Sequence, residues 1–267
     1  MTMATDTEIF DKLGFSWDRD VLPAGSATTT ERSLYRYKQM MAQFVFDASS
    51  LEGNPFTFPE VKTLLDGVTV GGRKVSDQQQ VLNLAAAATE LFDMVKKGTF
   101  KLDKATSDRL HALVAREEAF EWGHFRGEGE EAQITPRVAL GELDSHYPPE
   151  TEPGGQNLVD LFNNGVAVLN ADVPHPQERA MAHFLFGALQ QFYFDGNKRT
   201  ARFMMNGVLM SEGMDAISVP ATRAQEFNEK MVRFYVDKDA TEMMAFLLDC
   251  RPSNAPRPRP TVGAGGT

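Results

Sequence analysis

Twelve residues, Gln191-Phe192-Tyr193-Phe194-Asp195-Gly196-Asn197-Lys198-Arg199-Thr200-Ala201-Arg202, separate two apolar helical stretches, Ala180 to Leu189 and Phe203 to Met210. No other feature constrains the fold as much. Within that span one helix must stop, the backbone must turn, and a second apolar helix must begin. Asp195-Gly196-Asn197 predicts the turn, because Gly accepts positive φ and Asp and Asn bond their own backbone. The helix that follows starts with unpaired N–H groups at the positive end of its dipole, an arrangement that binds phosphates. Arg199 and Arg202, three residues apart, share a helix face and can clamp one anion. Asp195 beside them can hold a divalent cation, the usual companion of a polyphosphate. The residues alone point to a site for a metal-bound nucleotide.

Helical periodicity covers most of the remaining chain. It predicts a short helix around Glu8 to Leu13 and a strong one from Glu31 to Ser49, with Leu34, Tyr35, Met40, Met41, Phe44, Val45 and Ala48 on its apolar face. Thr57-Phe58-Pro59-Glu60 is a capping box that opens a helix to Leu65. Further helices are expected over Ser76–Lys97, Asp103–Glu118, Leu158–Leu169, Pro176–Leu189, Ala221–Tyr235 and Ala240–Cys250. The methionine-rich faces, with Met204, Met205, Met210, Met231, Met243 and Met244, are expected to fill core. Residues 120–157 differ: Gly and Pro punctuate them, and Gln133-Ile134-Thr135 and Val138-Ala139-Leu140 are strand candidates. The chain divides into an irregular lead-in (1–30), an N-terminal helical region (31–119), a core carrying the twelve-residue stretch (120–250), and a Pro- and Gly-rich tail (251–267) that reads as disordered.

The twelve-residue stretch resembles the signature of the Fic family, His-Pro-Phe-x-Asp/Glu-Gly-Asn-Gly-Arg-x-x-Arg. Asp195, Gly196, Asn197, Arg199 and Arg202 match it, and Tyr193 substitutes for the Phe. Gln191 stands where the family has His, and Lys198 where it has the second Gly. The resemblance implies an all-α bundle with a small β-hairpin flap and an anion-binding loop at a helix start. It also implies a protein that transfers AMP from ATP to a Ser, Thr or Tyr hydroxyl of a target protein. That target would dock by strand addition at a flap near residues 133–148. The implied roles are Asp195 for Mg²⁺, Gly196, Asn197 and Lys198 for the phosphates of ATP, and Arg199 and Arg202 for their β/γ end. The family His is the general base, and a Gln amide cannot take a proton near neutral pH. AMP transfer is therefore expected to be weak or absent. Lys198 is similar to the Doc-type branch, which makes phosphoryl transfer to a protein hydroxyl one alternative. A non-enzymatic protein-interaction module is another.

Ser49-Ser50-Leu51-Glu52-Gly53-Asn54 resembles the family's N-terminal inhibitory motif, Ser/Thr-x-x-x-Glu-Gly/Asn, with Ala48 four residues before Glu52 where the motif has Ser or Thr. The resemblance implies that Glu52 reaches Arg202 and blocks productive seating of the γ-phosphate. A formal net charge of −10 argues against general nucleic-acid binding. A single cysteine, Cys250, excludes a disulfide framework. The histidines lack metal-ligand spacing, and His183 is expected to pack inside the bundle rather than replace the base. The N-terminal residues do not read as a signal peptide, and no long apolar run predicts a membrane span, so a cytoplasmic location is expected.

Overall fold

The computed structural model describes residues 5–21, 27–141 and 145–252. Ten α-helices carry the described chain: α1 (Asp6–Leu13), α2 (Thr30–Ser50), α3 (Phe58–Leu65), α4 (Val75–Lys96), α5 (Lys104–Val114), α6 (Gln156–Asp172), α7 (Pro176–Gln190), α8 (Asn197–Ser211), α9 (Ala224–Asp237) and α10 (Thr241–Asp249). A two-stranded antiparallel hairpin, β1 (Val138–Ala139) and β2 (Ser145–His146), precedes α6, with Val138 opposite His146. Local chemistry sets several starts. Thr29 accepts from the Arg32 N–H, Asp103 accepts from the Thr106 N–H, and Thr57 and Glu60 form the expected capping box with Pro at the first turn.

Helix α8 is the axis of the molecule. Nearly every residue from Asn197 to Met210 is buried, so its apolar surface faces core on both sides. Ala201, Met205, Val208 and Leu209 join a cluster built from α1, α6, α7, α9 and α10. Phe203, Met204 and Met210 join a second cluster built from α2 to α5. A helix with apolar residues on opposite faces is stable between two layers, and here α8 docks both halves. The N-terminus of α8 consequently opens where the two clusters meet.

Several expectations are corrected. Tyr35 is 66% exposed and Tyr37 is buried at 2%, because the stripe facing α4 runs through Leu34, Tyr37, Phe44 and Val45. The short helix expected around Glu8 to Leu13 is α1, and the described part of the lead-in packs further than the sequence suggests. Thr5 and Glu8 form a capping box on α1, Ile9, Leu13, Phe15 and Trp17 enter the core, and Ser16 pairs with Asp239. Gln133-Ile134-Thr135 is not a strand, since the Glu131 carboxylate accepts the Gln133 and Ile134 N–H groups at 2.6 and 2.8 Å. Helix α5 stops at Val114 rather than Glu118, and Ala221–Arg223 is a 3₁₀ turn before α9. The expected disordered tail falls largely on residues 253–267, outside the described residues. Among the described residues no helix is long and apolar enough to cross a membrane.

Candidate phosphate-binding site

Helix α7 ends on Gln191, which takes a left-handed conformation with φ 48°. That turn swings the chain toward Gly196, the N-cap of α8, with φ 72°. A Cβ at position 196 would sit 3.2 Å from the Ala115 methyl, so both the dihedral and the space select Gly. Three contacts fix the loop between. Asn197 Oδ1 accepts the Tyr193 N–H at 2.8 Å, while its Nδ2 donates to the Tyr193 carbonyl at 2.7 Å. Asp195 Oδ1 accepts the Gly196 N–H at 2.6 Å. No side chain caps α8, which leaves its first N–H groups to whatever enters the cleft.

Gln191, Phe194, Asp195, Gly196, Asn197, Lys198, Arg199 and Glu52 line one cleft of about 250 Å³, roofed by Pro136 to Ala139 before and within β1. Arg202 is not on that wall. It lies one helical turn deeper and, with Arg199, lines a separate cavity of about 30 Å³ against α2. The sequence-predicted residues are thus brought together around the start of α8, with Arg202 behind them.

Carboxylates occupy both arginines. Glu52 lies 3.2 Å from Arg202 Nη2 and Glu118 lies 2.5 Å from Arg199 Nη1. Asp195 approaches Arg199 at 3.5 Å with its carboxylate largely exposed. Burial pushes the Glu52 carboxyl up, but Arg202, Arg199 and Lys198 outweigh it and hold it below the usual carboxylate range. Burial likewise opposes the charge of Arg199, and Glu52, Glu118 and Asp195 outweigh it. Arg199 Nε and Arg202 Nη1 are buried without a hydrogen-bond partner.

The Gln191 side chain is fully engaged. Its Nε2 donates to the Ala188 carbonyl at 2.6 Å, and its Oε1 accepts from Asn197 Nδ2 at 3.0 Å. Among the described residues no group of three or more His, Cys, Asp or Glu could hold a metal ion. Asp195 offers a largely exposed carboxylate in the cleft, whereas Glu52 is engaged with Arg202. That donor set fits Mg²⁺ held mainly by phosphate oxygens, and not a resident all-protein site.

Sequence reasoning missed the residues that brace this loop. His111 stacks on Tyr193 with ring centroids 3.7 Å apart. Its Nδ1 accepts the Gly123 N–H, so Nε2 carries the proton and donates to the Asp195 carbonyl at 2.9 Å. Arg126 is wholly buried and donates to the Gln191 carbonyl at 2.6 Å, to Thr151 and to Pro149. Tyr193 Oη donates to Asp108, a contact that Phe would lack. Their bonds to the loop span 65 to 85 positions in sequence, and no local pattern announces them. His183 is buried within α7 with neither ring nitrogen bonded, and His175 caps the same helix. Neither is among the residues lining the cleft.

A helical bundle that presents a Gly-capped, arginine-bearing helix start beneath a short hairpin is the architecture of Fic proteins. No family model matches the chain. Over 252 residues it is 25% identical to the protein adenylyltransferase Fic of Aedes aegypti, covering 92% of this chain and 46% of that protein. The Nematostella vectensis protein of the same name is 24% identical over 218 residues, covering 80% of this chain and 47% of that protein. The chain therefore spans about half the length of these relatives. Its backbone is similar to Fic-1 (residues 134–508) from C. elegans, with a TM-score of 0.66 at 18% identity, covering 91% of this chain and 67% of that one. It is also similar to a Fic domain containing signaling protein from Bacteroides thetaiotaomicron, with a TM-score of 0.65 at 16% identity, covering 92% and 89%. The chain is thus similar to Fic proteins in sequence and shares their fold.

Proposed function

We propose that this protein binds ATP with Mg²⁺ at the start of α8 and is a Fic-type AMP-transfer scaffold whose transfer is weak or absent. The observation that carries the reading is the state of Gln191 within an otherwise complete phosphate site. An amide with both ends bonded to Ala188 and Asn197 positions the loop and takes no proton from an acceptor hydroxyl. The α8 N–H groups, Asn197, Lys198, Arg199 and Arg202 supply donors and positive charge for phosphates. Asp195 would hold Mg²⁺, which supplies charge neutralisation at the phosphates. The Glu52–Arg202 ion pair supports autoinhibition, because the same guanidinium cannot serve Glu52 and a phosphate at once. The hairpin at 138–146 supports docking of a target segment by strand addition. The whole relatives' name, protein adenylyltransferase, supports ATP as the nucleotide.

Calorimetric titration of Mg²⁺ and ATP tests this reading. Binding that tightens in Glu52→Gly is the expected result, and absence of binding in both proteins contradicts it. Lys198 favours a second reading, phosphoryl transfer to a protein hydroxyl. It lines the cleft, and phosphoryl transfer depends more on positioning and charge than on a strong base. Transfer of the γ-phosphate rather than AMP distinguishes that reading.

A further inference from the structure

The two arginines are held by acids that follow different helices, yet both acids answer to one turn. Glu52 and Asn54 lie in the turn that ends α2, whose backbone is folded back by the Glu52 and Asn54 N–H groups donating to the Ser49 carbonyl. Glu52 pairs directly with Arg202. Asn54 Nδ2 donates to Gln80 Oε1 at 2.9 Å, and Gln80 Nε2 donates onward to Glu118 Oε2 at 2.9 Å. The same oxygen holds Arg199. Asn83, a turn further along α4, donates to Glu118 Oε1 at 3.2 Å. Asn54 Nδ2 also donates to the Asp77 carbonyl and Asn83 Nδ2 to the Arg116 carbonyl, at 2.9 and 2.8 Å, so α4 and the loop after α5 are fixed around the Glu118 carboxylate. Helix α5 ends at Val114, and three residues on Glu117 takes φ 61°, a rare conformation for a residue with a side chain. That reversal carries Glu118 to the face of α4 and onto Arg199.

We propose that Glu118 is a second carboxylate competing with nucleotide phosphate, positioned by the relay Asn54–Gln80, so that one turn holds Arg199 and Arg202 together. The proposal rests on the reading of α8 as an ATP site. Around that helix start Lys198, Arg199 and Arg202 face Glu52, Glu118 and Asp195, three cations against three carboxylates. Withdrawing either acid from its arginine raises the positive potential offered to a polyphosphate. Displacing the turn withdraws Glu52 and also removes the donor that orients Gln80 against Glu118.

Titration of Mg²⁺ and ATP into the full chain tests this with Glu52→Gln, Glu118→Gln, Gln80→Leu and the double variant Gln80→Leu/Glu118→Gln. Glu118→Gln is expected to bind about tenfold more tightly than the unchanged protein, as Glu52→Gln does, because each removes one carboxylate from a guanidinium. Gln80→Leu is expected to gain about threefold and to add nothing in the Glu118→Gln background, the signature of two residues acting through one contact. Glu118→Asp is expected to restore weak binding. Thermal melting of each variant shows that it is folded, and a purely structural Glu118 lowers the melting temperature without tightening ATP. Tightening by Glu52→Gln with none by Glu118→Gln overturns this proposal and leaves the ATP site standing. Equal gains by Gln80→Leu in both backgrounds overturn the relay. No binding by any variant overturns the proposal and the nucleotide site together.

Discussion

At the residue scale, function turns on which groups are free and which are already engaged. Gln191 occupies the position of the family base, and its amide spends both ends on the loop that it helps to shape. Gly196 has the opposite character, since its value lies in lacking a side chain. Gly196→Ala meets a left-handed dihedral and a crowded Ala115 methyl, and is expected to cost about 2 kcal/mol of stability. Urea unfolding measures it, and an unchanged midpoint contradicts the account of the turn. Glu117 offers the converse test. It is exposed with φ 61°, so Glu117→Gly is expected to stabilise the protein by about 0.5–1 kcal/mol in the same assay.

At the element scale, the site is a meeting of ends: the C-terminus of α7, the N-terminus of α8, the turn after α2, and the loop after α5. Arg126 ties the first of these down with four donor contacts to Gln191, Gln190, Pro149 and Thr151. Arg126→Met leaves those buried acceptors unpaired and is expected to cost about 3 kcal/mol or more. It is also expected to loosen the Gln191 turn, read as faster amide exchange at Gln191 and at position 126. Helices of this length were legible in the sequence, because caps and a 3.6-residue period are local signals. The twelve-residue stretch was legible for the same reason, and so was the Glu52 turn once the stretch was recognised. The sequence placed Tyr35 on the apolar face although Tyr35 and Tyr37, two apart, differ in facing by about 200°, because the two tyrosines read alike by composition. Glu118, His111 and Arg126 were not legible. Each acts through a partner brought near only by tertiary packing, and a carboxylate near a helix end carries no mark of which arginine it will meet.

At the scale of the whole molecule, α8 joins two cores, and buried imidazoles sit in or beside both. Burial pushes His111 and His183 down to about 4. A histidine whose folded value lies below its unfolded value of about 6.5 binds its proton first in the unfolded chain. Stability is therefore complete above about pH 6.5 and declines as pH falls toward 4, by something on the order of 3 kcal/mol per buried imidazole. His183→Leu is expected to flatten that decline by about half, followed by urea unfolding at pH 7, 5.5 and 4.5. A slope identical to that of the unchanged protein contradicts this account of the core. The central claim, an AMP-transfer scaffold that binds ATP and lacks its base, is tested most directly by labelling. The protein, Glu52→Gly, Gln191→His and the double variant are incubated with lysate and Mg²⁺, using α-³²P-ATP and γ-³²P-ATP in parallel. The account predicts α-label on protein only when Gln191→His is present, strongest in the double variant, with a gain on the order of 10²–10⁴ from the restored base. No α-label from the double variant, although it binds ATP, would contradict it.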